Sequence, residues 1–437
     1  MQFTTRAGNS QATTGRVLVL GTDDRVSLAV ARSLGRNGIA VHLGWWSSNS
    51  VAMRSRYVVK SHQIPPYAPD NDSWKQALRD ILIREHFDLV IPCNDSTLVP
   101  LVANRADFAE FGNIYLLPDH VFSIVSDKFN TYALAKREGV PVPRGCVTDG
   151  SANPATLIQE YGLPLVLKPQ ATITTKDVGL ANVVRKIVSP QELETTLLQL
   201  GTRKILVQEN FVGRGVGVEM LVHEGRILVA FQHARIHETM EWGSAYRRSV
   251  AVDPELLQAA ERLMRAIGYT GVAMAEFIVN PGSGRWVFLE INGRFWGSLP
   301  LAVAARVDFP FYLYQMLVAG KRQFAVRYRE EVRCRNLPLD LAWVRKRYGG
   351  TGWRKLVMLF RVAAELSSIV WHRDHLDSFA IDDPLPQLAE LRQLTARLWK
   401  KIWRSIPRKH SASVASRRSA PVELPSSTLR RKVQEIA

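Results

Sequence analysis

One stretch limits this chain more than any other: GVAMAEFIVNPGSGRWVFLEINGR, residues 271–294. Two apolar runs, Gly271 to Val279 and Trp286 to Asn292, flank a turn around Pro281, Gly282, Ser283 and Gly284, a pattern that predicts a β-hairpin. A strand points alternate side chains to one face, so Glu290, Asn292 and Arg294 are expected to project together. On this register Glu276 lies beside Glu290. Two carboxylates so placed repel unless a cation sits between them. Oxygen-only ligands on rigid strands suit Mg²⁺ or Mn²⁺. The plainer alternative is a solvated strand face carrying weak surface pairs.

The rest of the chain has room to frame such a hairpin. Its 437 residues, 46% of them hydrophobic, are enough for two or three domains with filled cores. Cys93, Cys146 and Cys334 are too widely spaced for a disulfide framework or a zinc pattern, so a reducing cytoplasm is the expected compartment. Cys93 is read as a packing residue, with a nucleophile as the alternative. The first fifteen residues have no apolar core that could serve as a secretory signal and are expected to form a flexible leader. The run KLVMLFRVAAELSSIVW is interrupted by Arg361 and Glu365 and falls short of about 20 apolar residues, so no transmembrane segment is expected.

The formal charge of +17 is concentrated at the end. Residues 391–437 hold twelve Lys and Arg against two Glu. A basic terminal segment suggests an attachment arm rather than a nucleic-acid groove, and no specific nucleic-acid partner is expected. Within it Leu391, Leu394, Leu398, Ile402 and Ile406 recur at helical spacing beside Trp399 and Trp403. Two readings stay open: a helix docked on the protein's own core, or one lying on the anionic inner face of a membrane, strengthened by a disordered basic tail after residue 406.

The segment RVLVLGTDDRVSLAVARSLGRNGIAVHLGWW reads as strand, turn, helix and strand, the opening of an open α/β sheet. It lacks G-x-G-x-x-G, which disfavours a dinucleotide site. A later strand, in FDLVIPCNDSTL, ends at Asn94 and Asp95, where ligands of such sheets commonly sit; Asp95 either touches substrate or forms the turn. After residue 120 the texture changes to a capped helix, SDKFNTYALAKREG, followed by the short strand PLVLKP with Lys168 at its end. KILVQENFVGRGVGVEMLV then gives two strands joined by a Gly-rich turn.

Taken in order, SDK, LVLKP, LVQENFVGRGVGVEM, AEF and FLEINGR resemble the ATP-grasp superfamily over roughly Arg16 to Gly320. The pattern looks most like the carboxylate-amine ligases and carboxylases, the carbamoyl-phosphate synthase and biotin carboxylase type of ATP-binding domain. The resemblance implies a mixed α/β and α+β chain: an open α/β pre-ATP-grasp domain at 16–120, a two-subdomain ATP-grasp domain at 121–330, a mostly helical region at 331–406 and the basic tail at 407–437.

It also implies roles. Lys128 and Lys168 would reach the phosphates of ATP, where fixed cations are needed. Backbone groups near Glu209, Phe211 and Val212 would read the adenine edge, and Glu219 would lie near the ribose. Glu276, Glu290 and Asn292 would hold one or two Mg²⁺ ions, and Arg294 would stabilise a developing acyl phosphate. Arg235 would bind substrate carboxylate or acyl phosphate. Arg247 shares its basic segment with His233, His237 and Arg248 and is a substrate candidate. Ser298, opening a helix in FWGSLPLAVA, would hold a substrate carboxylate.

One departure stands out. The loop after the KP strand, QATITTKDVG, has no glycine before Gly179, so Thr172, Thr174, Thr175 and Lys176 would have to supply the phosphate donors. The implied activity is ATP-dependent joining of a small-molecule carboxylate to an amine through an acyl phosphate, releasing ADP and phosphate. The rivals are bicarbonate activation and a degenerate scaffold that binds nucleotide without turnover. No residue fixes the oligomeric state, and a homodimer is compatible with the reading.

Overall fold

The structure is a computed structural model that describes residues 15–21, 24–44, 50–173, 184–239, 243–348, 353–371 and 373–405. The leader, the positions Thr174, Thr175 and Lys176, and the tail from residue 406 lie outside these.

The chain opens with a four-stranded parallel sheet of β1 (Gly15–Leu20), β2 (Ile39–Gly44), β3 (Val58–His62) and β4 (Leu89–Pro92), in the order β3-β2-β1-β4. The apolar residues of β1 serve both faces, as a parallel sheet requires. Val17 and Val19 pack with Val26, Val30 and Leu34 of α1 (Asp24–Arg36), while Leu18 and Leu20 pack with Trp74, Leu78 and Leu82 of α2 (Ser73–Glu85). After β4, Asn94 and Thr97 form a capping box that starts α3 (Asp95–Ala103) and fixes Asp95 at the carboxyl edge of the sheet.

Two short helices, α4 (Asp119–Val125) and α5 (Lys128–Arg137), lead to a second sheet with order β5-β8-β6-β7. Its strands are β5 (Gly145–Thr148), β6 (Leu165–Pro169), β7 (Arg185–Ile187) and β8 (Ile205–Glu209). Leu165, Leu167 and Val207 pack under α6 (Pro154–Tyr161) and α7 (Pro190–Leu200) through Leu157, Leu193 and Leu197.

The largest sheet runs β13-β12-β9-β10-β11-β14-β15. It contains β9 (Arg214–His223), β10 (Arg226–Thr239), β11 (Gly243–Val250), β12 (Gly271–Val279), β13 (Trp286–Asn292), β14 (Arg333–Arg335) and β15 (His375–Leu376). One face, with Val218, Met220, Ala273, Ala275 and Phe277, is covered by Leu256, Ala260 and Leu263 of α8 (Pro254–Ala266). The other face meets α9 (Leu299–Ala304) and α10 (Phe309–Leu317) around Leu221, Phe231, Val272 and Phe309.

The remaining helices are α11 (Leu337–Tyr348), α12 (Trp353–Trp371) and α13 (Leu385–Ser405). The region expected to be mostly helical thus also contributes β14 and β15 to the large sheet. One compact unit extends to Arg392, and the residues from Gln393 form a second. No helix of the described residues is long and apolar enough to cross a membrane.

Candidate active site

The predicted hairpin forms, with β12 and β13 antiparallel and Glu276 directly opposite Glu290. A bulge between Glu276 and Phe277 changes the alternation. With strict alternation Phe288 and Glu290 would share a face. Phe288 instead enters the core against Phe277, while Glu290 and Leu289 line a cleft of about 660 Å³, within the usual size of ligand sites. The strand ends at Asn292, so Arg294 reaches the cleft from the following segment.

Each carboxylate of the pair has its own cation. Lys128 Nζ donates to Glu290 Oε2, and Arg235 Nη2 donates to Glu276 Oε2 at 2.5 Å. Asn292 Nδ2 donates to Glu276 Oε1 at 3.0 Å, drawing the third predicted ligand to the same spot. Burial pushes the Glu290 carboxyl up, but Lys128, Lys168 and Arg294 outweigh it and hold it at about 2. Burial likewise opposes the charge on Lys128, and Glu290 overcomes it. Burial opposes the charge on Arg235 too, and Glu276 with Glu238 overcomes it.

Lys168 is different. On β6 it alternates with the core residues Leu165 and Leu167, so it faces the cleft, yet it is only 8% exposed. Burial, with Lys128 nearby, lowers its ammonium to about 8 despite Glu290 and Glu276. Lys128 is set beside it by backbone geometry. Asp127 caps α5 through the Phe129 and Asn130 amides, and the Lys128 amide donates to the Gln170 carbonyl at 2.7 Å.

Two glycines of GRGVGVE make room for the basic side chains. A Cβ on Gly215 would lie 2.7 Å from Arg235 Cδ, and one on Gly217 would lie 2.3 Å from His233 Cε1. These positions let both side chains lie flat across β9. Arg294 is held at its other end by Asp95, through Nε to Oδ1 at 3.0 Å and Nη2 to Oδ2 at 2.9 Å.

The predicted nucleotide residues divide. Glu209 and Phe211 line the cleft; Glu209 accepts from the Arg144 side chain at 2.7 Å and the Arg144 amide at 3.0 Å. Val212 does not line it, and its carbonyl accepts from Asn280 Nδ2 at 3.0 Å. Glu219 is fully buried, because Ser298 and His233 cover it: Ser298 Oγ donates to Oε1 at 2.7 Å and His233 Nδ1 lies 2.8 Å from the same oxygen. A direct ribose contact by Glu219 does not fit this placement. Ser298 lines the cleft, but its hydroxyl proton is already committed to Glu219. Arg247 does not line the cleft: its fully buried guanidinium donates to Asp377, which follows β15, the strand that pairs with β14 beyond β11.

Sequence reasoning passed over Arg25, Arg144, Lys186, Gln208 and Glu238, all of which line the cleft or hold a lining residue. The signal for Gln208 was present, since it immediately precedes Glu209 in QENF. Its Oε1 is buried without a hydrogen-bond partner, an acceptor that fits the exocyclic amine of an adenine. Arg235 Nε is likewise buried and unpartnered, a donor that fits a phosphate or carboxylate oxygen. The hairpin oxygens, in turn, fit a hard divalent cation.

Two other groups of metal-ligand residue types occur among the described residues, His42–His62–Glu85 and His237–Asp340–Glu365. In both the acid is already matched: Lys60 pairs with Glu85 at 2.6 Å, and Arg335 bridges Asp340 and Glu365 at 2.6 and 2.7 Å.

A small antiparallel sheet and a larger one closing on a cleft of paired acids and lysines is the ATP-grasp fold. The chain carries this fold and resembles the superfamily's carboxylate-amine ligases and carboxylases. A family model described as ATP-grasp in the biosynthetic pathway with Ter operon matches residues 201–338. Biotin carboxylase 1 of Bacillus subtilis is 25% identical over 214 residues, 44% of this chain and 46% of that protein. D-alanine–D-alanine ligase of Alkalilimnicola ehrlichii is 27% identical over 223 residues, 47% of this chain and 69% of that protein. The crystal structure of N5-carboxyaminoimidazole synthetase from Staphylococcus aureus superposes with a TM-score of 0.57 at 15% identity, covering 78% of this chain and 87% of that one. This chain therefore spans under half the length of the first of these relatives.

Proposed function

We propose that the protein is an ATP-dependent, ADP-forming ligase that joins a small-molecule carboxylate to an amine. The observation that carries this reading is the convergence of Glu276, Glu290 and Asn292 with Lys128, Lys168, Arg235 and Arg294 in one cleft of an ATP-grasp fold.

In this reading Lys128 and Lys168 bind the phosphates, and the backbone near Glu209 and Phe211, with Gln208, holds the base. Glu276, Glu290 and Asn292 hold Mg²⁺ or Mn²⁺, which supplies charge neutralisation for phosphoryl transfer. Arg235 and Arg294 orient the substrate carboxylate, whose oxygen takes the γ-phosphoryl group of ATP as ADP leaves; the amine then attacks the acyl phosphate, forming the amide and expelling phosphate with loss of the amine's proton. Positioning and fixed charge provide most of the catalysis. A cytoplasmic setting suits the free Cys93, Cys146 and Cys334.

The test is nucleotide product analysis during a screen of amino acids, peptides and amino sugars. ADP and phosphate released only with an acid and an amine together support the ligase. AMP with pyrophosphate, or bicarbonate-dependent ADP release without an amine, refutes it.

A further inference from the structure

Helix α12 is turned inside out. Its sequence, WRKLVMLFRVAAELSSIVW, contains a single acidic residue, Glu365, and that side chain points inward to Arg335 at 2.7 Å. The large apolar side chains face solvent instead: Trp353 is 76% exposed, Phe360 72%, Val370 78% and Trp371 83%. Leu356 and Leu359 are also exposed. At about 100° per residue, these positions fall on one continuous face of the helix, with Glu365 on the opposite side. Isolated exposed apolar residues need no explanation, but a contiguous face of this kind marks a docking surface.

The charges around this face select the occupant. Asp340, the acid of the preceding helix α11, is also turned inward, accepting from Arg335 Nη1 at 2.6 Å. The cations are on the outside. Arg345, Lys346 and Arg347 form the exposed last turn of α11, exposed Arg361 lies over Tyr348 on the flank between the apolar face and Glu365, and exposed Arg373 follows α12. Both helices therefore hide their acids and present apolar and basic groups together. The chain carries 57 Lys and Arg against 40 Asp and Glu, so the surrounding field adds to the effect.

We propose that α12 is an in-plane membrane-docking helix that rests its apolar face on an anionic phospholipid surface. The helix is too short of apolar length to cross a bilayer and is not required to. A 19-residue helix is about 28 Å long, and it lies flat with Trp353 and Trp371 at its two ends in the interfacial layer that tryptophan prefers. The exposed arginines meet lipid phosphates, which makes the attachment salt-sensitive. A cleft-bearing domain held this way works on substrate near a membrane surface, whatever reaction it performs.

The test is co-sedimentation of the full-length protein with vesicles of phosphatidylcholine alone or mixed with phosphatidylglycerol. The protein should pellet with the anionic vesicles, less so as salt rises and weakly with phosphatidylcholine alone. The Phe360→Ser/Trp371→Ser double variant should lose on the order of a hundredfold in partitioning, the effect of withdrawing two large apolar side chains from lipid. Its thermal melting and any ATP turnover should be unchanged, because neither residue contributes to the core. Leu356→Ser/Val370→Ser provides an independent pair. Wild-type protein that stays in the supernatant, or paired variants that pellet as well as wild type, would overturn the proposal. So would self-association in vesicle-free sedimentation velocity that the same variants abolish, since the face would then be a protein interface.

Discussion

Arg294 and Asp95, 199 positions apart, form a two-pronged ion pair at 3.0 and 2.9 Å that ties the segment after the β12–β13 hairpin to the carboxyl edge of the first sheet. This geometry gives a planar guanidinium one orientation, which a single contact would not. Asp95→Asn keeps one acceptor oxygen but loses the charge and the fork. The expected result is a fall in kcat on the order of tenfold to a hundredfold, as for a displaced positioning group, with ATP affinity nearly unchanged. Steady-state kinetics beside calorimetric ATP binding checks this; an equal loss in both would assign Asp95 to the nucleotide.

Glu290→Gln preserves the volume of the side chain while removing a charged oxygen proposed to bind the metal. Metal-dependent turnover should fall by more than about a hundredfold, since even residues behind the ligands commonly cost that much. The fold should persist, because Glu290 lines the cleft rather than the core. Wild-type ADP formation at limiting Mg²⁺ would remove Glu290 from the metal site.

Lys168 gives a pH signature. Its folded pKa of about 8 lies below the ordinary 10.5, so between these values the unfolded chain holds a proton that the folded one has released. Stability due to this group therefore rises with pH across that window, while the charge proposed to bind phosphate disappears. The expected result is a fall in kcat/KM for ATP above about pH 8, the free-enzyme value. Lys168→Arg should move that limb to higher pH, and Lys168→Met should weaken ATP binding roughly tenfold to a hundredfold by isothermal calorimetry.

Asp383 anchors a distant segment to α1 and to the stretch that enters β3. It is almost fully buried and accepts from Arg32 Nε at 2.9 Å, Ser55 Oγ at 2.6 Å and the Arg56 amide at 2.9 Å. Asp383→Ala leaves the Arg32 guanidinium buried without its carboxylate, a change that costs about 3–5 kcal/mol. Denaturant unfolding should report this loss, and an unchanged midpoint would show that the segment is not part of the cooperative unit.

The sequence by itself determined the elements and the chemistry they carry. Local rules suffice for the Pro281–Gly284 turn, the Asp127 cap that starts α5 and the alternation that turns Lys168 away from Leu165 and Leu167. What only the tertiary structure decided is where those side chains end up. The bulge that separates Phe288 from Glu290 has no strong local signal, because it arises from fitting two faces to different surroundings. Glu219 and Arg247 read as site residues until Ser298, His233 and Asp377 arrive from remote segments and consume their charges. The outward face of α12 is the same lesson reversed. In sequence its apolar run is only too short and too interrupted to span a membrane; in the fold Arg335 draws Glu365 inward and the geometry of a helix then turns the opposite face to solvent. Local sequence fixes which groups a residue offers; burial and partners, which are long-range, fix which of them remain to meet a ligand.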